Sequence, residues 1–187
     1  ILVWDTGSTD NTLKIINQIR NPKIILKKLK VNRFDEDVIR QKMLDETTCD
    51  WFIVLDADEI WWDDSIKLVT DTIKKEGDNL ETIVVPTINM IGDIFHFQEK
   101  KAGRYHLAGK VGHYNLRAIN RKIPGLHGHG EHGVFMWADD KNKRIEWRDQ
   151  GKIKFLNAPY IHTTHLKRSD SINGDEYVYK RAKKRKY

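Results

Sequence analysis

The sequence predicts an α/β fold in which strands alternate with helices around one sheet. Apolar runs rich in Ile, Val and Leu recur along the first half of the chain, and segments with apolar residues at helical spacing lie between them. Two of these runs stop abruptly at an aspartate, Asp5 and Asp56. Because ligand sites in such sheets lie beyond the carboxyl ends of strands, we expect the chemistry to begin at these two residues.

The first predicted strand covers residues 1–4 and is followed by turn and helix-cap residues. The helix after them ends at Asn21-Pro22, since the residue before a proline avoids the helical conformation. A second strand is predicted over residues 23–31 and a second helix over residues 35–47. The apolar faces expected of these two helices consist of Leu13, Ile16 and Ile19 in the first and Val38, Ile39, Lys42 and Met43 in the second.

The third predicted strand, residues 51–55, is an uninterrupted apolar run, which is typical of the buried middle of a parallel sheet. Asp63 and Asp64 are predicted to cap a third helix, and residues 83–85 to form a further strand. The expected apolar face of that helix consists of Ile66, Val69 and Ile73.

From about Asn89 the pattern changes to shorter pieces rich in Gly and His. We interpret these pieces, including residues 114–119 and 152–156, as antiparallel additions and active-site loops.

Composition indicates a single globular domain, since 39% of the residues are hydrophobic and 32% are charged. The net charge of +6 comes from the end of the chain, so we expect a domain over residues 1–168 and a basic tail over residues 169–187. The tail cations are Lys180, Arg181, Lys183, Lys184, Arg185 and Lys186. The tail is either a solvated end or an electrostatic anchor to a membrane surface or a partner, which would allow peripheral membrane contact, and we expect no nucleic-acid binding. A single cysteine, Cys49, is typical of a reducing compartment, which predicts a cytoplasmic protein.

The sequence Asp56-Ala57-Asp58 places two carboxylates at the end of the third predicted strand. Two like charges so close together repel each other unless a cation lies beside them, and hard oxygen ligands suit Mg²⁺ or Mn²⁺ bridged to phosphate. A nucleoside diphosphate would supply both the phosphates and a leaving group. The alternative interpretation is an acidic surface turn.

Three segments together resemble the family 2 glycosyltransferases with the GT-A fold, which is a Rossmann-like mixed sheet flanked by helices. They are residues 3–12, 38–41 and 51–59, and their order and spacing are more specific than any one of them alone. Two features depart from the family pattern: Gln41 stands where Asn is usual, and the family's first strand and the loop after it are missing.

The resemblance implies a role for four residues. The residue matching Asp5 binds the nucleotide base, Arg40 lies near the diphosphate, Asp56 contacts the nucleotide or ribose, and Asp58 ligates the metal ion. It also implies an enzyme that moves a sugar from a nucleoside-diphosphate-sugar donor to an acceptor hydroxyl with inversion and with Mn²⁺ or Mg²⁺. Glycan, lipid-linked and protein acceptors all remain open.

The densest group of titratable residues is the glycine-rich run from His127 to His132. An inverting transfer needs a base for the acceptor hydroxyl, and we predict Glu131 in that role, with Asp139 and Asp140 as reserves. The alternative interpretation is a solvated loop without a role in catalysis.

A later segment, residues 159–167, resembles the region in which many GT-A enzymes supply a histidine to the metal ion or the diphosphate. In a regular strand His162 and His165 would point to opposite faces, so at most one of them would reach the site. We predict His165 as a metal ligand. A packing or surface role for both histidines is the alternative.

Two other enzyme classes use similar motifs. Asp5-Thr6-Gly7 is also the signature of an aspartic protease, but that chemistry needs a second such motif, which the sequence does not contain. A phosphotransferase of the haloacid dehalogenase type uses Asp-x-Asp after a strand, with the first Asp as nucleophile, and would leave Asp5 without a role.

Overall fold

The computed structural model describes residues 1–29, 36–130 and 135–166. Within them lie three α-helices: α1 (Thr12–Gln18), α2 (Glu36–Glu46) and α3 (Asp63–Glu76). The strands are β1 (Leu2–Asp5), β2 (Ile25–Lys28), β3 (Trp51–Ile53), β4 (Glu59–Trp61), β5 (Thr82–Ile91), β6 (Asp93–Phe97), β7 (Tyr105–Leu107), β8 (Lys110–Gly112), β9 (Tyr114–Asn120), β10 (His127–His129), β11 (Met136–Ala138), β12 (Ile153–Phe155) and β13 (Tyr160–His165).

The main sheet has seven strands and is mixed. Its strands are ordered β3-β9-β5-β13-β4, and β6 and β12 also pair with β5. Strands β9 and β6 run antiparallel to β5, whereas β12 and β13 run parallel to it. The ten residues of β5 therefore form the centre of the sheet, and its Ile83, Val84 and Val85 are completely buried.

The hydrophobic core lies on both faces of this sheet. On one face, Val69 of α3 packs against Ile83 and Val85 of β5. That cluster also contains Ala118, Leu156, Ala158 and Tyr160. On the other face a smaller cluster contains Ile119, Ile123 and Ile145. The apolar spacing predicted for the third helix is thus confirmed, because Val69 is buried and Ile66 and Ile73 are half-buried.

Three smaller sheets flank the main one. Strands β1 and β2 form a parallel pair with Asp5 opposite Lys28. Antiparallel pairs are formed by β7 with β8 and by β10 with β11. The backbone N–H of Gly128 in β10 donates to Gln41 Oε1 at 2.9 Å, which fixes β10 against α2.

The third predicted strand is shorter and less buried than its sequence indicated. It ends at Ile53, all three of its residues are half-buried, and it pairs antiparallel with β9. The expectation of a buried middle strand in a parallel sheet was therefore wrong. Its sequence is uninterruptedly apolar because Trp51 and Ile53 pack against one core cluster while Phe52 and Val54 pack against the other.

Of the two later segments interpreted as antiparallel additions, residues 114–119 do run antiparallel to β5, whereas residues 152–156 do not. Strand β9 is the antiparallel neighbour of β5 in the middle of the sheet, while β12 and β13 pair with β5 in parallel. The interpretation of residues 152–156 as an antiparallel addition was wrong. Short strands give no local signal of direction, because their partner lies far away in the sequence.

Two details of the helices also differ from expectation. In α2 the buried residues are Ile39 and Leu44, and Lys42 is exposed. Helix α3 begins at Asp63, and its N-cap is Trp62, which makes no side-chain cap bond. Asp63 and Asp64 therefore lie in the first turn, where carboxylates stabilise a helix through its dipole.

No helix in the described ranges is long and apolar enough to cross a membrane. The tail predicted over residues 169–187 lies outside the described residues.

Candidate active site

The connection from β3 to β4 carries Asp56 and Asp58, and backbone hydrogen bonds fix it between two other strands. Val54 N donates to Arg117 O of β9 at 2.8 Å, and Glu59 N donates to Asp56 O at 3.1 Å. The N–H and the hydroxyl of Thr163 in β13 both donate to Asp58 O, at 2.8 and 3.0 Å. The two aspartates are therefore held on a short turn with little backbone freedom.

Asp56 lies between two arginines. Arg40 Nη2 of α2 donates to Asp56 Oδ1 at 2.7 Å, and Arg117 Nη1 of β9 donates to Asp56 Oδ2 at 3.2 Å. Burial by itself raises the pKa of Asp56, but the guanidiniums of Arg117 and Arg40 outweigh burial, so this pKa lies below its usual value. Asp56 is thus a carboxylate at neutral pH, and both of its oxygens already accept a charge-assisted hydrogen bond.

Arg117 is a buried cation with several partners, as a buried charge requires. Besides Asp56 it forms an ion pair with Glu59, and its Nε donates to the Tyr160 hydroxyl at 3.1 Å. That hydroxyl also accepts from Asn115 Nδ2 at 2.6 Å. Burial raises the pKa of Glu59 and that of Tyr160. Arg117 therefore lies buried beneath the turn that carries Asp56 and Asp58. Of its two carboxylate partners, Asp56 is the partly exposed one.

Asp58 lies beside His162 of β13. The distance from Asp58 Oδ1 to His162 Nε2 is 3.5 Å. The other ring nitrogen, Nδ1, lies 3.2 Å from Asn89 Oδ1, while Asn89 Nδ2 lies within hydrogen-bond distance of Gln98 Oε1 and His113 Nδ1. The ring of His162 thus lies between two oxygens that can only accept, Asn89 Oδ1 and Asp58 Oδ1. In the neutral tautomer with its proton on Nδ1, that proton is donated to Asn89 and Nε2 has a lone pair for a cation beside Asp58.

This pair suits one side of a divalent-cation site. One carboxylate oxygen and one neutral imidazole nitrogen are ordinary ligands of Mn²⁺, and Mg²⁺ is often bound by one or two carboxylates together with substrate phosphates. Within the described ranges no group of three or more His, Cys, Asp or Glu residues could hold a metal ion. Asp58 and His162 could therefore supply two ligands of a cation, and the remaining ligands would have to come from a phosphate-bearing substrate and water.

Asp5 lies at the end of β1 in the separate two-stranded sheet. Its Oδ1 accepts from the backbone N–H groups of Gly7 at 3.1 Å and Ser8 at 3.2 Å. Gly7 has a φ of 116°, which only glycine adopts readily. Hydrogen bonding from Ser8 lowers the pKa of Asp5 more than burial raises it, so this carboxylate is ionised and its turn is fixed.

The register of β13 changes the expectation for its two histidines. His162 lies opposite Asn89 and His165 lies opposite Ile91, so three steps along β13 match two steps along β5. Asn89 and Ile91 are two residues apart and lie on one face of β5. A register shift lies between the two histidines, so the regular alternation on which the expectation of opposite faces depends is interrupted there.

Three further residues, Glu131, Asp139 and Asp140, were predicted as possible bases for the acceptor hydroxyl. Glu131 lies outside the described residues, so its role as a base stays a prediction. Asp139 is 1% exposed and forms an ion pair with Arg148, and its Oδ1 accepts from the backbone N–H groups of Lys141 and Lys143. Asp139 thus stabilises a turn, whereas Asp140 is exposed.

Sequence reasoning missed the residues beneath the site, namely Arg117, Glu59 and Tyr160. Arg117 did carry a signal, because it interrupts the apolar pattern of the strand predicted over residues 114–119. A charged residue in the middle of a buried strand requires a charged partner. The sequence alone does not reveal that this partner is Asp56, 61 positions away.

Comparison with solved structures defines the class of protein that this architecture represents. Two crystal structures of S. aureus TarS, residues 1–349, are similar in fold to this chain. One has a TM-score of 0.50 at 15% identity and covers 87% of this chain, and the other, a complex with UDP-GlcNAc, has a TM-score of 0.53 at 16% identity and covers 91%. Each match covers 50% of the TarS chain, so this chain spans about half the length of these structures. The fold is that of the GT-A glycosyltransferases.

The sequence profile described as Glycosyl transferase family 2 matches residues 1–141, and the chain belongs to that family of glycosyltransferases. Among proteins with curated descriptions, none is significantly similar to it in sequence. The resemblance inferred from three short motifs is therefore confirmed, and so is the predicted fold class. Family membership also favours a glycosyltransferase over the aspartic protease and the haloacid dehalogenase type of phosphotransferase.

Proposed function

We propose that this chain binds a nucleoside-diphosphate sugar at the β3–β4 turn and transfers the sugar to an acceptor hydroxyl. The observation that carries the proposal is the arrangement of Arg40, Asp56 and Arg117 next to Asp58 and His162. It brings the partly exposed guanidinium of Arg40 to the turn that carries the carboxylates of Asp56 and Asp58, in a protein of glycosyl transferase family 2. A diphosphate-linked donor carries the charges and hydroxyls that such a set binds.

The exposure of each side chain decides which residues can contact the donor. The side chain of Arg40 is 23% exposed, so its guanidinium can bind the diphosphate while it holds Asp56. Asp56 is the proposed acceptor for a ribose hydroxyl, and Asp5 binds the base. Arg117 is too deeply buried to contact the donor, and we assign it the role of positioning Asp56.

Asp58 and an imidazole of β13 would hold Mn²⁺ or Mg²⁺. When bound, the cation neutralises charge on the diphosphate leaving group. His165 is the histidine predicted from the sequence, and His162 is the one that lies 3.5 Å from Asp58. Both side chains are imidazoles that can ligate Mn²⁺.

The acceptor side needs a base, and Glu131 remains the proposed one. A carboxylate there would take the proton of the acceptor hydroxyl during attack on the sugar carbon, with inversion at that carbon. The acceptor is proposed to be a glycan, a lipid-linked sugar or a protein. UDP-GlcNAc, which TarS binds in its solved complex, is the first donor to test.

The test is a thermal-unfolding panel with UDP, GDP, UDP-GlcNAc and other nucleoside-diphosphate sugars, each with and without Mn²⁺. A ligand at 100 times its dissociation constant adds about 2.7 kcal/mol to the free energy of unfolding. We expect one nucleotide series to stabilise the protein, with a part of the effect that depends on Mn²⁺. The Asp58→Asn variant should lose that part, whereas Asp78→Asn, an exposed aspartate beyond α3, should retain it. Absence of stabilisation by every nucleotide would refute the proposal.

A further inference from the structure

The connection from β5 to β6 carries an unusual group of exposed apolar side chains. Every residue from 91 to 97 is exposed, and we call these residues the hairpin tip. Within it Ile94 is 66% exposed, Phe95 81% and Phe97 61%. Single exposed apolar residues are common on protein surfaces, but a contiguous group of large ones marks an interaction site.

The hairpin tip has a defined backbone conformation. Gly92 turns the chain with a φ of 74°. Ile91 pairs with Asp93, but Met90 pairs next with Phe97, so residues 94–96 bulge out of the ladder. Asp93 Oδ1 accepts from the N–H groups of Phe95 at 2.8 Å and His96 at 3.0 Å. Two large apolar side chains, Ile94 and Phe95, are thus held on a local turn that extends beyond the sheet.

Cationic residues follow the hairpin tip directly. The chain returns to the sheet at Gln98, whose N–H donates to Asn89 O at 2.9 Å. The exposed cations of the next segment are Lys100, Lys101, Arg104 and Lys110. Lys101 pairs with Glu99, and Lys110 lies over the ring of Phe155 towards the other end of β5. Lys100 and Arg104 therefore give the surface beside the hairpin tip its excess positive charge.

We propose that the hairpin tip together with Lys100, Lys101 and Arg104 docks on an anionic lipid bilayer. Apolar and aromatic side chains on a projecting turn insert at the boundary between headgroups and acyl chains, where their rings are stable. Lysine and arginine beside them are attracted to anionic headgroups, which would not attract an apolar surface alone. This chemical combination matches a charged bilayer better than a neutral protein surface.

The docking surface lies next to the candidate active site. Asn89 contacts His162 through its side chain and Gln98 through both side chain and backbone. The proposed metal-side histidine and the base of the hairpin are thus held by one residue. Docking would bring the transfer site close to acceptor hydroxyls in the plane of the membrane. Lipid binding itself does not depend on the proposed transfer reaction.

The test is cosedimentation of the full chain with vesicles of phosphatidylcholine, either alone or with phosphatidylglycerol. We expect binding to the anionic vesicles that weakens as salt rises and is at least tenfold weaker to phosphatidylcholine alone. The double variant Ile94→Ser/Phe95→Ser should bind the anionic vesicles at least tenfold more weakly. The double variant Lys100→Glu/Lys101→Glu should also lose affinity and become less sensitive to salt. All four positions are exposed, so the variants should keep the unfolding temperature of the wild type.

The matched control is Trp147→Ser, which removes another exposed aromatic side chain. Trp147 precedes Arg148, which is paired with Glu81 at the start of β5. The hairpin tip follows the other end of that strand, about 30 Å away at about 3.3 Å per residue. The control should bind vesicles like the wild type.

Three results would overturn the proposal. The first is that the wild-type protein binds no vesicle. The second is that Ile94→Ser/Phe95→Ser binds anionic vesicles as the wild type does, which would assign any lipid affinity to another part of the chain such as the basic tail. The third is self-association in sedimentation velocity that this double variant abolishes, without vesicle binding, which would assign the surface to a second copy of the chain.

Discussion

Arg40 on α2 and Asp56 after β3 are joined by a hydrogen bond of 2.7 Å between Nη2 and Oδ1, although they lie 16 positions apart in the sequence. Arg40 is also held by its own helix, because its Nε donates to Glu36 Oε1 at 2.9 Å. The guanidinium is thus fixed from two sides while part of it stays exposed. A cation that is fixed before the ligand arrives loses little entropy when it binds a diphosphate.

Replacement of Arg40 should weaken donor binding without unfolding the protein. In Arg40→Ala, Asp56 loses one of its two guanidinium partners, and the diphosphate loses its proposed cation. We expect the affinity for the stabilising nucleotide to fall at least tenfold in titration calorimetry, which is about 1.4 kcal/mol. Lys42→Ala, on the exposed face of the same helix, should bind like the wild type. Equal affinities of the two variants would show that Arg40 does not contact the donor.

Replacement of Arg117 should act mainly on stability. In Arg117→Met the buried Glu59 loses its cation and Tyr160 loses a hydrogen-bond donor, and removal of one partner from a buried ion pair costs about 3–5 kcal/mol. Urea unfolding should show this loss. The double variant Arg117→Met/Glu59→Gln should recover part of it, because no unpaired charge is then buried. Lys122→Met, which breaks an exposed pair with Asp50, should leave the midpoint nearly unchanged. A small effect of Arg117→Met would contradict the role assigned to it.

The two histidines of β13 can be distinguished by the Mn²⁺-dependent part of nucleotide stabilisation. His162 lies beside Asp58, so His162→Ala should remove most of this part, and His165→Ala should remove less. His162→Asn, which keeps a hydrogen bond to Asn89 but lacks the imidazole, should behave like His162→Ala. The opposite ranking would favour the sequence-based prediction of His165 as the metal ligand.

The stability of the protein should fall in acid partly through Glu81. A hydrogen bond from Arg148 lowers the pKa of Glu81 below its ordinary value of 4.5. The pair therefore contributes its full stability above pH 4.5 and loses it as the pH falls through the lower pKa of the folded state. Urea unfolding between pH 6 and pH 3 should show a shallower decline for Glu81→Gln and for Arg148→Gln. A wild-type slope in both variants would exclude the contribution.

The sequence allowed correct prediction of those features that local patterns encode. The strand before Asp56, the helix around Val69 and the turn after Asp5 all have a local signature of apolar spacing or turn residues. The ordered motifs containing Asp5, Arg40 and Asp58 then gave the family, which the match over residues 1–141 confirms. The sequence did not predict the contact between Arg40 and Asp56. It predicted only that both residues lie near the donor.

Features that depend on pairing between distant segments were not predictable in this way. Strand β13 pairs with β5 from a separation of 73 residues, as between His162 and Asn89, and nothing in the residues around either strand specifies the partner or its direction. The register shift between His162 and His165 was not predictable for the same reason, because it arises from the pairing of β13 with β5. The pattern around Arg117 indicates an apolar strand and does not reveal its partners, because Asp56 and Glu59 come from other parts of the chain.

The anchoring of Asp58 by Thr163 sets the order in which the candidate active site can be completed during synthesis. These residues are 105 positions apart, and β13 follows the last residue matched by the family profile. A nascent chain that has emerged only as far as residue 141 contains Asp56, Arg40 and Arg117 but neither the strand that holds the Asp58 carbonyl nor His162. Contacts of such long range form slowly, because the loop must close before they are gained. The aspartate turn therefore gains its final support only when one of the last described strands joins the sheet.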